Sequence, residues 1–203
     1  MVRVIVAALF AMLIAIPAMA QEDFPRVEMS LGYANLGFNC CSNIVYEGFP
    51  CCSNIIFDHK RHSGFASTQS LNLTRIFGIE NYFGYYGLGG KNALGANASL
   101  IVDLVGGKIA ARTERAVPYF TAGIGVGYIT GDYPFGQSSF AMRWGPGVDI
   151  KINDSMAWKI DFSRMSFNEN FTFSGRSWSS GWNVATGIVF VLSNRHRVAS
   201  AGE

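Results

Sequence analysis

Residues 139–152 read SFAMRWGPGVDIKI, and they alternate without a break. Phe140, Met142, Trp144, Pro146, Val148, Ile150 and Ile152 fall on one parity; Ser139, Ala141, Arg143, Gly145, Gly147, Asp149 and Lys151 fall on the other. Successive side chains of an extended chain point to opposite faces, so this is a strand with one bulky apolar face and one small or charged face. The next run repeats the pattern, with Met156, Trp158, Ile160 and Phe162 against Ala157, Lys159, Asp161 and Ser163. So does the last, where Trp182, Val184, Thr186, Ile188, Phe190 and Leu192 oppose Asn183, Ala185 and Gly187.

Working outward, Pro118 to Ile129 sets Phe120, Ala122, Ile124, Val126 and Tyr128 against Thr121, Gly123, Gly125 and Gly127. Arg26 to Ala34 sets Val27, Met29, Leu31 and Tyr33 against Glu28, Ser30 and Gly32. Three weaker runs fill the gaps: Gly64 to Thr74, Gly78 to Leu88, and Ala98 to Ile109 with Leu100, Val102 and Leu104 as its apolar parity. The total is eight strands, each near the roughly ten residues that a tilted strand needs to cross a bilayer. Connections are short at Arg75–Phe77, Thr113–Val117 and Asn153–Ser155, and long at Phe38–His62, Gly89–Asn97, Thr130–Gln137 and Phe167–Ser179. An even strand number with short turns on one rim and long loops on the other predicts an all-β fold: an antiparallel up-and-down transmembrane barrel with periplasmic turns and extracellular loops.

Volume decides which face is inside. The interior of an eight-stranded barrel is only just wide enough for side chains to fill it, and the large residues would overfill it. Trp144, Val148, Ile150, Trp158, Ile160, Phe162, Trp182, Val184, Ile188 and Phe190 are therefore assigned to lipid, and the small and charged parity to the lumen. Arg143, Asp149, Lys151, Lys159, Asp161, Asp103 and Glu80 form the expected polar network there, because a charge left unpaired in a narrow bore is costly. A three-residue turn at Asn153–Ser155 pairs Ile152 with Met156 and sets Asp149 opposite Lys159, both inward. Tyr33, Tyr85, Tyr128, Trp144 and Trp182 toward the loop rim, and Phe77, Tyr119, Trp158 and Phe190 toward the turn rim, read as interfacial girdles.

Composition agrees. Of 203 residues 49% are hydrophobic and only 15% charged, against about 25% in an ordinary soluble domain. The formal net charge of +2 provides no footprint for nucleic acid. Met1 to Ala20 has a charge at Arg3, an apolar run from Val4 to Ile16, Pro17, and the small-x-small triplet Ala18-Met19-Ala20, which predicts a secretory leader cut after Ala20. Residues 21–193 are then the barrel and 194–203 a polar tail.

The opening strand Pro25–Tyr33, the Gly78–Gly87 strand ending Tyr85-Tyr86-Gly87, and the run Gly145-Pro146-Gly147-Val148-Asp149 resemble the small eight-stranded outer-membrane β-barrel proteins, the group of the OmpA transmembrane domain and OmpX. The resemblance covers roughly Phe24 to Leu192. It implies an integral protein of the outer membrane of a Gram-negative-type bacterium, folded from the periplasm with the help of chaperones and the assembly machinery. It implies no particular chemistry. Where such proteins commonly end on an aromatic residue, here Phe190 is followed by Val191, Leu192 and the tail.

The first long loop contains a tandem duplication, GFNCCSNIVYE at 37–47 and GFPCCSNIIFD at 48–58. Cys40, Cys41, Cys51 and Cys52 all lie within it. In an oxidising compartment two bridges between the doublets are expected, their connectivity open; the doublets lack zinc-knuckle spacing. His59, His62 and Ser63 near Asp58 complete no catalytic triad. Gly123, Gly125 and Gly127 precede no helix and so do not read as a phosphate loop. The expectation is a monomeric, non-enzymatic barrel without cofactor or metal, embedded in outer-membrane lipid, with an envelope-structural role or an extracellular ligand at its loops. A narrow pore lined by Arg143, Lys159, Asp149 and Asp161, a rim lipid hydrolase or acyltransferase, and a soluble periplasmic ligand-binding barrel are the other readings.

Overall fold

Strands that are apolar on one face and small on the other have a single way to hide both their backbone edges and their small face, which is to close on themselves. The computed structural model of the chain describes residues 24–39, 45–46, 49–50, 61–88, 98–131, 137–169 and 177–194. Residues 1–20, where a leader is expected, the four cysteines and residues 195–203 lie outside them.

Eight strands form the closed barrel: β1 (Pro25–Asn39), β4 (Arg61–Asn72), β5 (Phe77–Gly87), β6 (Ala98–Ala110), β7 (Ala116–Gly131), β8 (Gln137–Asn153), β9 (Met156–Glu169) and β10 (Ser177–Asn194). Each pairs antiparallel with its chain neighbour, and β1 pairs with β10 to shut the seam. A two-residue ladder, β2 (Val45–Tyr46) with β3 (Phe49–Pro50), lies within the first long loop. Among the described residues no helix is long and apolar enough to cross a membrane; the crossing is made by strands.

Turn chemistry pins the periplasmic rim. Thr74 and Thr113 fold back over their own turns: the Phe77 amide donates to Thr74 Oγ1 at 2.9 Å, and the Ala116 amide to Thr113 Oγ1 at 3.1 Å. The third turn corrects one sequence expectation. Asn153, not Ile152, pairs with Met156, around a two-residue turn at Asp154-Ser155 in which the Ser155 amide donates to Asn153 Oδ1 at 2.9 Å. A bulge at Ile152 absorbs the extra residue, and the ladder above it returns to the register that sets Asp149 opposite Lys159.

Bulky residues cover the outside. Trp144, Ile150, Trp158, Phe162, Trp182, Val184 and Phe190 are exposed, and Val148, Ile160 and Ile188 share their parity. Phe162 stacks on Trp182 at 4.8 Å and Phe65 on Tyr85 at 5.5 Å, within the upper belt. Inside, glycines make room for rings: a methyl added at Gly147 would lie 2.2 Å from the Tyr119 ring, and one at Gly127 would lie 2.8 Å from that of Phe167.

Lipid contact makes charge tolerance depend on depth. Val148 lies midway between Trp144 and Ile152 on the outer face of β8. Val148→Arg is expected to destabilise the barrel by about 2–4 kcal/mol and Ile152→Arg, beside the turn, by about 0–1 kcal/mol. Urea unfolding in lipid vesicles measures both; equal costs would place the bilayer elsewhere.

Candidate functional site: a charged lattice in the bore

The lumen-facing parity brings together side chains from strands far apart in the chain. Eight charged groups alternate in sign. Arg112 Nη1 lies 3.2 Å from Glu28 Oε1, and Glu28 Oε2 is 3.4 Å from Lys108 Nζ, which in turn lies 3.3 Å from Asp149 Oδ2. Asp149 Oδ1 is 3.9 Å from Lys159 Nζ, and that ammonium is 3.5 Å from Glu80 Oε2. Glu80 Oε1 is 3.3 Å from Arg143 Nη1, and Arg143 Nη2 reaches Asp161 Oδ2 at 2.5 Å. Four cations thus balance four anions, all with little or no exposure. In a narrow bore only this kind of closed pairing offsets the loss of hydration.

Neutral groups complete the lattice. The Lys108 and Lys159 ammoniums each lie 4.6 Å from the centre of the Tyr119 ring, whose hydroxyl donates to Asp161 at 3.1 Å. The Arg143 guanidinium lies 4.2 Å from the centre of the Tyr82 ring, and its Nε donates to Ser163 Oγ at 3.0 Å. Ser70 donates to Glu80, and Lys159 to Thr68. Above them Tyr86 donates to Asn183 Oδ1 at 2.8 Å, the Tyr82 and Tyr86 hydroxyls are 2.5 Å apart, and Asn183 Nδ2 donates to both Tyr82 and Ser163 at 3.3 Å.

The bore is layered along its axis. Toward the extracellular rim the polar lattice gives way to a dry cluster of Leu36, Leu100, Val102, Leu104, Met165 and Phe167 around Tyr82 and Tyr86. The gaps beside Arg143 have volumes of about 20 and 10 Å³, room for a water at most. At the periplasmic mouth a vestibule of about 380 Å³ opens between Phe24, Arg112, Lys151 and Asp154.

Four expectations need correction. Asp103 is outside the barrel, bonded to Asn81, because β6 runs with Leu100, Val102 and Leu104 inward and Ile101, Asp103 and Val105 outward. The apolar parity of that strand, read as lipid-facing, fills the lumen instead. Tyr119, assigned to the lower girdle, is buried in the bore next to Lys108. Lys151 has the inward parity but lines the vestibule and makes no ion pair among the described residues. Arg143, Asp149, Lys159, Asp161 and Glu80 are brought into one lattice. Glu28, Lys108, Arg112, Tyr82, Tyr86, Tyr119 and Asn183 complete it and were missed. Glu28 and Lys108 carried a usable signal, since each is a lone charge between apolar neighbours on its strand.

His62 is buried while Ser63, the next residue, faces outward and bonds Tyr33 at 2.7 Å, so strand alternation keeps the two apart. Asp58 and His59 lie outside the described residues, as do Cys40, Cys41, Cys51 and Cys52. No cluster of metal-ligating side chains occurs among the described residues.

A closed antiparallel barrel with an apolar outer belt and a neutralised, packed bore is a membrane-spanning protein. The chain belongs to the outer membrane protein beta-barrel domain family, whose model matches residues 6–190. Among solved structures it is similar to Neisserial surface protein A, with a TM-score of 0.60 and 9% identity over 84% of this chain and 99% of that one. It is also similar to the outer membrane protein OprG from Pseudomonas aeruginosa, with a TM-score of 0.51 and 13% identity over 88% of this chain and 98% of that one. At such identities the likeness is one of fold. No curated protein matches the chain. Membership makes it a multi-pass β-barrel of the Gram-negative outer membrane, in contact with membrane lipid.

Removing one member of the lattice strands its partners. Arg143→Ala is expected to cost about 3–5 kcal/mol of stability, because Glu80 and Asp161 lose their shared cation inside the bore. Arg143→Met combined with Asp161→Asn removes one charge of each sign and leaves Glu80 paired with Lys159, and should recover most of that loss. Urea unfolding in lipid vesicles distinguishes the two variants; equal stability would mean that the lattice is hydrated.

Proposed function

We propose that this protein is a non-conducting, non-enzymatic scaffold of the outer membrane that holds its extracellular loops for envelope stability or contact with an external ligand. One observation carries the reading: the bore is filled twice over, by the ion lattice below and the Leu36–Phe167 apolar cluster above, and the two gaps beside Arg143 are only about 20 and 10 Å³. A hydrated ion would have to part the Arg143 pairs and then cross a dry layer. Among the described residues at the rim, strand alternation turns His62 inward and Ser63 outward, so the two are not paired as base and nucleophile.

In this reading residues 1–20 are a cleaved leader, the mature chain reaches the membrane through periplasmic chaperones and the assembly machinery, and Cys40, Cys41, Cys51 and Cys52 form bridges that stiffen the first loop. Stiffening suits a loop that presents a fixed surface, since less ordering entropy is lost on contact.

Single-channel recording in planar bilayers tests the proposal. The purified full-length barrel is expected to leave the membrane silent under conditions where a porin control conducts. Steady ohmic current from the folded protein would replace the scaffold with a narrow pore lined by Arg143, Lys159, Asp149 and Asp161.

A further inference from the structure

The outer face of the β4–β5 ladder carries a pair of carboxamides at one level. Its outward pairs, from the periplasmic side upward, are Leu71 with Ile79, Gln69 with Asn81, Ser67 with Phe83, and Phe65 with Tyr85. The carboxamide pair Gln69–Asn81 therefore lies between an aliphatic pair below and an aromatic stack above, within the span that faces lipid. Side-chain polar groups in that layer need a partner other than water.

Asn81 is half satisfied. Its Nδ2 donates to Asp103 Oδ1 at 2.7 Å and toward Leu104 O at 3.4 Å, so both amide hydrogens are engaged within the barrel. That fixes the amide with Oδ1 as the unused acceptor. Gln69, directly across the ladder, makes no hydrogen bond among the described residues, leaving its Nε2 hydrogens as unused donors. One acceptor and one donor side by side form a self-complementary patch. A two-fold axis along the membrane normal, passing between β4 and β5, turns the patch onto its copy with left and right exchanged, so that Gln69 of each molecule meets Asn81 of the other.

We propose that two copies of this barrel associate in the membrane through the outer face of β4 and β5, with Gln69 of each donating to Asn81 Oδ1 of the other. This replaces the single barrel expected from the sequence. The contact is small and reciprocal: two hydrogen bonds at the centre, with Ser67 allowing close approach and Leu71 and Ile79 packing below. A lipid acyl chain could cover the aliphatic neighbours but offers the two carboxamides nothing.

The test uses the full chain in lipid vesicles. A photoreactive amino acid replacing Leu71 is expected to trap an adduct of twice the barrel's mass, and the same group replacing Ile150 on the far side of the barrel is expected to trap none. By sedimentation equilibrium in detergent, Gln69→Leu is expected to raise the dimer dissociation constant about tenfold. The variant keeps its barrel, since leucine suits a lipid-facing site; a difference in gel mobility between boiled and unboiled samples checks this. A monomer at every protein-to-lipid ratio, a Leu71 adduct containing only lipid or a different protein, equal trapping from Ile150, or unchanged association of folded Gln69→Leu would each overturn the proposal. None of these outcomes bears on whether the bore conducts.

Discussion

The guanidinium of Arg143 lies buried in the bore with Glu80 on one side and Asp161 on the other, and much of the barrel follows from holding it there. The residues come from β8, β5 and β9, so the cation ties together strands that are not all neighbours in the ladder. Backbone pairing fixes which strands touch but leaves the bore to be filled, and eight strands leave too little room for water to do it. The lattice fills it with charge that sums to zero. Such a core adds little net stability over an apolar one; its contribution is to penalise every register in which a charge loses its partner.

That penalty explains the layering of the lumen. A bore lined wholly with aliphatic groups would present two greasy faces on every strand, and nothing would tell inside from outside. Placing the large apolar cluster in the extracellular half, around Phe167 and Tyr86, and the charge in the periplasmic half beside the small Ala110–Val117–Tyr119 cluster lets the strand faces differ where the turns are made. Thr74 and Thr113, folded over their own turns, set the phase at that same rim. Registry and turn chemistry therefore agree at one end of the molecule, while the other end is free to carry long loops.

How much of this could be read beforehand varies strand by strand, for a physical reason. On β8, β9 and β10 one parity holds tryptophan, phenylalanine and isoleucine while the other holds glycine, serine and charge, so size alone assigns the faces. Even a mistaken turn at Asn153 left Asp149 opposite Lys159, because the bulge at Ile152 restores the phase. On β6 both parities are aliphatic through Leu100–Val105 apart from Asp103, and size carries no information; the strand is decided by Lys108, which must reach Glu28 and Asp149. Reading that strand one residue out of phase exchanged its two charges, bringing Asp103 inside and leaving Lys108 unnoticed. Tyr119 escaped for a different reason: room for its ring is made by Gly147 on the neighbouring strand, a relation between two parities that no single run displays.

The same strand links the bore to the outer surface. Asp103 and Lys108 are five positions apart, and the ladders on both sides of β6 run through them without a bulge, so the two charges must face opposite ways. Once Lys108 is committed to the lattice, position 103 faces lipid whatever residue occupies it. Register explains the direction of Asp103 but not its charge, since a valine there, like Val105, would suit the membrane better. What the carboxylate does is accept from the Asn81 amide at 2.7 Å, which leaves the Asn81 oxygen as the unused acceptor on the residue paired with Gln69. A polar group kept in an expensive place, and oriented by a second one, has the character of a contact rather than of a coating.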